Sequence, residues 1–142
     1  MTDDASERFV LVDTDAFVHL SRGQAKAGEL APYVESRRIV LSFVTVAEMR
    51  RGAYRRGYGE ASWRRMEADI ASAVVVAPSD AVSHEWARLT YEARRDGHAL
   101  GQPAQKHDAW IAATARHYGL PILTLDADYE GFPGLRLLPN PR

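Results

Sequence analysis

The chain has no cysteine among its 142 residues. That excludes a disulfide framework, a thiolate metal site and a cysteine nucleophile, and it suits a reducing compartment. Lysine is nearly absent as well: Lys26 and Lys106 are the only two among eighteen basic residues, and arginine supplies the rest. No apolar run is long enough to cross a bilayer, and the N-terminal MTDDASERFVLVD carries acids where a signal peptide needs cations, so a cytoplasmic protein is expected. The net charge of −1 gives no global field that would gather a polyanion, and any such attraction has to be local. The five histidines, His19, His84, His98, His107 and His117, lack metal-ligand spacing such as H-E-x-x-H, and all five are expected to be structural or exposed.

What is present is an ordinary globular composition, 46% hydrophobic and 26% charged, at a length one core can serve. Residues 9–12 form a short continuous apolar run ending in an acid, the pattern of a strand buried on both faces and therefore parallel. Runs at 39–41, 74–76 and 122–125 look similar, and 135–138 reads as an edge strand stopped by Pro139. Helical patterns fill the intervals, at 16–21, 28–36, 44–55, 61–71, 79–96 and 106–118. The alternation predicts an α/β fold: a three-layer α/β/α domain with a central parallel sheet of four to five strands. One domain over 1–142 is expected, with 1–8 a flexible N-terminal extension.

In an open parallel sheet the ligand site lies beyond the carboxyl ends of the strands. Asp13 and Asp15 follow the first apolar run there, and Asp126 and Asp128 follow the run that begins at Ile122. Glu48 lies early in the helix after the second strand, and Asp108 at the start of the helix that feeds the Ile122 strand. Each acid also has a bland explanation. Thr45 to Glu48 fits a capping box, Asp108 complements a helix dipole, and the Asp13 and Asp126 segments could be Asx turns. Those readings leave unexplained why four separate segments deliver carboxylates to one end of the sheet. Crowded carboxylates repel one another, and a divalent cation relieves them. Magnesium takes oxygen ligands and can promote in-line attack of water on a phosphodiester.

The segments VLVDTDAFVHL, LSFVTVAEMRRGA and KHDAWIAATARHYGLPILTLDADYEGFPGL, with the terminal LLP, resemble the blocks of PIN-domain proteins, most of all VapC toxins of bacterial toxin–antitoxin pairs. The succession DT, T-x-A-E, D-x-x-I-A-A-T-A and T-x-D-x-D-Y spans roughly residues 10–139. The resemblance implies a PIN-like domain acting as a magnesium- or manganese-dependent endoribonuclease on RNA, inhibited by a cognate antitoxin and forming a homodimer. It implies that Asp13 and Asp108 are the main direct metal ligands, while Glu48 and Asp126 complete the acidic pocket. Thr14 and Thr124 match hydroxyls that orient these acids, and Asp128 is a further supporting acid.

Arg50, Arg51, Arg55, Arg56, Arg64 and Arg65 crowd into sixteen residues whose only acid is Glu60, with Tyr54, Tyr58 and Trp63 between them. Arginine forks match phosphates and aromatic faces stack unpaired bases, so Arg50, Arg51, Tyr54 and Arg55 are candidate contacts for RNA. The same residue types anchor protein partners, which makes antitoxin contact an equal reading, and a solvated helix face is a third. Two other functions compete. One is a catalytically silent PIN-like module that binds RNA or a partner. The other is a phosphatase of the haloacid dehalogenase type, suggested by Asp13-Thr14-Asp15 but lacking the expected residue at Phe17. An EF-hand starting at Asp126 is rejected, because Leu137 stands at its twelfth position and Pro133 lies inside the loop.

Overall fold

The computed structural model describes residues 5–139. Five parallel strands form one sheet in the order β3-β2-β1-β4-β5. They are β1 (Phe9–Val12), β2 (Arg38–Ser42), β3 (Val74–Val76), β4 (Ile122–Leu123) and β5 (Leu137–Leu138). β1 lies at the centre because Val10, Leu11 and Val12, all fully buried, can be covered only by neighbours on both edges and helices on both faces. Leu11 pairs with Val40 on one side and Ile122 on the other, which sets the register across the middle of the sheet.

Alternation along the strands divides the interior into two cores. Val10, Val12, Leu41, Leu123 and Leu138 face α2 (Thr14–Arg22), α3 (Ala27–Leu30), α4 (Phe43–Arg55) and α5 (Glu60–Ala71) through Phe17, Leu30, Met49 and Ile70. Leu11, Val40, Ile122 and Leu137 face α6 (Asp80–Arg95) and α7 (Lys106–Tyr118) through Leu89, Ala93 and Ile111. The three-layer α/β arrangement is therefore as expected. Small side chains let α7 approach closely, since Ala109, Ala112, Ala113 and Ala115 are all buried. Gly101 has a comparable role, because a Cβ there would lie 2.6 Å from the backbone nitrogen of Arg94.

Several boundaries differ from expectation for local reasons. The helix expected over 28–36 is a single turn, α3, followed by a 3-10 turn at Ala31–Tyr33, where Pro32 removes an amide from the helical ladder. The strand expected over 122–125 ends at Leu123, because Thr124 and Asp126 turn their polar groups into local hydrogen bonds and Leu125 is left exposed. The strand expected over 135–138 is likewise reduced to Leu137–Leu138. β3 is an edge strand and half-open rather than buried on both faces. The stretch expected as an N-terminal extension, 1–8, includes one described element. A turn of helix, α1 (Ala5–Arg8), precedes β1, with Ser6 buried and accepting from Arg37 through its carbonyl and from Arg136 through its hydroxyl. Residues 1–4 lie outside the described residues.

The chain runs outward from β1 through β2 to β3, then crosses back to place β4 on the opposite side of β1. The reversal of strand order falls between β1 and β4, where an open α/β sheet leaves a crevice at its carboxyl edge.

Candidate active site

Asp13 is the first residue after β1 and caps α2, accepting the Ala16 amide on Oδ1 at 2.9 Å. Its Oδ2 accepts a short hydrogen bond from the hydroxyl of Thr124, which ends β4. Two strands on either side of the crevice are thus joined by one carboxylate. Asp13 is only 5% exposed. Burial raises its pKa from an ordinary 3.8 to about 7, helped by repulsion from Asp15 and Asp108 and opposed by the hydrogen bonds from Thr124 and Ala16.

Asp108 stands in the first turn of α7. Burial raises its pKa to about 6 against a hydrogen bond from Tyr129, while Asp126, Glu48 and Asp128 add repulsion. The Tyr129 hydroxyl donates to Asp108 Oδ1 at 3.1 Å. The ring of Tyr129 has no solvent exposure, and burial together with the fields of Asp13, Asp108 and Asp126 pushes its pKa well above the usual tyrosine value. The hydroxyl therefore stays protonated and donates. Beyond β4, Asp126 makes an Asx turn, donating its amide to Thr124 Oγ1 at 2.9 Å and accepting that of Asp128 at 2.9 Å. The turn aims two carboxylates at Asp108. Asp108, Asp126 and Asp128 each bring one oxygen within 4.8 Å of the others, the spacing of a shared cation. Hard oxygen donors with no sulfur, the raised Asp108 carboxyl among them, fit magnesium or manganese.

Glu48 flanks this group. The capping box weighed as the alternative for Thr45 and Glu48 does not form: Ser42, the last residue of β2, caps α4 and accepts the Val44 amide, which puts Glu48 in the second turn. Thr14 donates to Glu48 Oε1 at 2.6 Å and lies 3.1 Å from the buried Thr45 hydroxyl, while His107 Nδ1 donates to Glu48 Oε2 at 3.1 Å. Both oxygens of Glu48 are thereby oriented. His107, expected to be structural or exposed, has a 43% exposed side chain and is given a place beside the acids by its bond to Glu48. It carries no ligand spacing, and only its position before Asp108 could have marked it. Tyr129 was equally hidden, since a tyrosine in an acidic turn reads as core. Asp128, expected in a supporting role, lies with Asp108 and Asp126 in the group whose oxygens fall within 4.8 Å of one another.

The arginines divide. Arg50 makes a two-pronged bond to Glu67 at 2.9 and 2.8 Å, clamping α4 to α5. Arg50, expected as a candidate RNA or antitoxin contact, thus has an ion-pair partner on α5 while half its side chain stays exposed. Arg51, Arg55 and Arg56 line a groove of about 220 Å³ with Arg22, Thr14 and Glu48. Tyr54 is 76% exposed and packs edge-on to Trp63 with ring centroids 4.9 Å apart. A second cleft, of about 350 Å³, opens on the other flank of Glu48 between α4 and α7. Another groove, about 450 Å³ beside Trp86 and Leu100, contains none of the acids.

The PIN domain family matches residues 10–135, a span holding every acid described above. Ribonuclease VapC4 of Mycobacterium tuberculosis is 31% identical over 133 residues, covering 92% of this chain and 96% of its own. Ribonuclease VapC5 of the same organism is 26% identical over 126 residues, covering 87% of each. Among solved structures, VapBC2 from Rickettsia felis bound to a DNA fragment from its promoter superimposes with a TM-score of 0.75 at 17% identity, over 91% of this chain and 96% of that one, a likeness of fold. Fold, acid placement and sequence match agree: the chain belongs to the PIN-domain family.

Proposed function

We propose that this chain is a divalent-cation-dependent endoribonuclease of the VapC type, the toxin of a toxin–antitoxin pair. The observation that carries the reading is the meeting of Asp13, Glu48, Asp108, Asp126 and Asp128 at the crevice between β1 and β4, with three of their oxygens within 4.8 Å of one another. Relatives named ribonuclease support the activity, and neighbours solved as VapBC complexes support an antitoxin partner. A homodimer, action in the cytoplasm and a single domain over the whole chain belong to the same proposal. Among the described residues no helix is long and apolar enough to cross a membrane.

Asp108, Asp126 and Asp128 would hold the cation, with Asp13 completing the acidic wall from the β1 side. When bound, magnesium or manganese supplies a Lewis acid that polarises the phosphodiester and lowers the pKa of water at the site. Glu48, fixed by Thr14 and His107, orients the attacking water and takes up its proton. Thr124 holds Asp13 and the Asp126 turn in one geometry. Arg51, Arg55 and Arg56 bind phosphates of the strand through guanidinium forks. The phosphatase reading has no observation in its favour, since Asp13 is buried with both oxygens hydrogen-bonded and is a poor acceptor for a phosphoryl group.

Labelled single-stranded RNA incubated with magnesium, with EDTA, and with the Asp108→Asn protein tests the proposal. Cutting is expected in the first reaction alone. Cutting that persists in the other two would sink it, and binding without cutting in the first would favour the silent module.

A further inference from the structure

The cleft between α4 and α7 is built differently from the arginine groove. One wall is aromatic: Phe43 meets Trp110 edge-on at 5.9 Å, and Trp110 stacks on Trp86 at 4.8 Å with the planes 14° apart. Phe43 and Trp110 remain half-exposed on helices whose other faces fill the cores, so the rings are fixed in place without being consumed by packing. Glu48, Arg51 and His107 form the opposite rim. Arg51 makes no ion pair among the described residues, leaving its guanidinium for a ligand.

We propose that this cleft is a nucleobase subsite, in which one unpaired base next to the scissile phosphate stacks on Phe43 and Trp110 while Arg51 holds the adjoining phosphate. The inference rests on the ribonuclease reading and adds to it the place where sequence preference arises. Three features argue for a base over a protein side chain. The cleft shares Glu48 with the catalytic crevice, and His107 on its rim precedes Asp108. A strand whose phosphate lies at the acids therefore has its neighbouring base at the cleft. The rim offers a cation at the edge of an aromatic face, the combination that takes up single-stranded nucleic acid. The volume, about 350 Å³, lies at the small end of the ~300–1,000 Å³ typical of ligand pockets. Stacking accepts every base, so preference comes from the rim and is graded rather than absolute.

The test uses Phe43→Leu and Trp110→Leu, with Trp110→Phe as the variant that keeps an aromatic face. Circular dichroism and melting curves establish that each is folded. Binding of a short fluorescein-labelled single-stranded RNA of mixed sequence is followed by anisotropy with calcium in place of magnesium. Cleavage of a randomised RNA is then sequenced with magnesium. Both leucine variants are expected to bind about 5- to 150-fold more weakly, the range for loss of one base–aromatic stack, and to lose base preference at one position beside the cut. Trp110→Phe should remain near the wild-type values. Unchanged affinity and preference in the leucine variants, with the wild type still cutting, would overturn the subsite and leave the ribonuclease reading intact. So would variants that change oligomeric state by light scattering while handling RNA normally, which would make the cleft an interface between copies. A wild type that neither binds nor cuts RNA removes both proposals together.

Discussion

Replacing Asp13 with asparagine should stabilise the metal-free protein at neutral pH while abolishing cleavage. The Asp13 carboxyl moves from 3.8 to about 7 on folding, chiefly through burial. A carboxyl raised in the folded state favours folding while protonated, and that contribution is lost as pH climbs from about 4 through about 7. At roughly 1.36 kcal/mol per pKa unit the loss approaches about 4 kcal/mol above pH 7. Asparagine carries no charge to desolvate. It keeps the bond from the Ala16 amide but cannot accept the Thr124 hydroxyl, which costs about 1 kcal/mol. The variant should therefore melt slightly below wild type at pH 4 and above it at pH 7.5, by about 3 kcal/mol or roughly 5–10 °C. Because other titrating groups are common to both proteins, the difference between their melting temperatures isolates Asp13. Scanning calorimetry in EDTA from pH 4 to 8 measures it. A difference that stays constant across that range refutes the argument. Added magnesium should narrow the gap, because the ion binds the variant, which lacks the Asp13 charge, more weakly and stabilises it less than wild type.

Three further substitutions probe the surroundings. Tyr129→Phe removes the hydrogen bond that lowers the Asp108 carboxyl, so the acid limb of the cleavage pH profile should move upward by about one unit, and an unmoved limb would deny Tyr129 that role. Arg116→Ala leaves Glu85 buried without its main partner. Burial alone would raise that carboxyl, and Arg116 and Arg88 together hold it below its usual range, so a loss of about 3–5 kcal/mol is expected in urea denaturation. Arg55→Ala should weaken RNA binding across sequences and make the slope of log affinity against log salt shallower by about 0.7, the value for one phosphate contact on a single strand. An unchanged slope would remove Arg55 from the phosphate path.

The elements that sequence located best are those with one dominant signal. β1 and β3 are uninterrupted runs of apolar residues, and α7 is bracketed by Lys106 and by Gly119, which takes the left-handed conformation at φ 68°. Elements failed where polar residues serve a tertiary partner. Thr45 and Glu48 carry the capping-box spacing, yet Ser42 is nearer the strand end and takes the cap, freeing Glu48 for Thr14 and His107. Thr124 continues an apolar pattern, but its hydroxyl serves Asp13, 111 residues earlier, and the strand stops short. The acids of the site were legible because sheet topology confines them to one edge. Their relative closeness was not, since it depends on the Asx turn at Asp126 that swings Asp128 toward Asp108.

Of the five strands the central one is made first and its partner across the crevice fourth. On a ribosome, Asp13 emerges long before α7 and β4 exist, and the three-acid group is completed only when Asp128 follows them out. A nascent chain halted anywhere before that point lacks the three-acid group. The acid cluster thus closes only when β4 and the turn after it are out, well after the helices between β1 and β3 have been made.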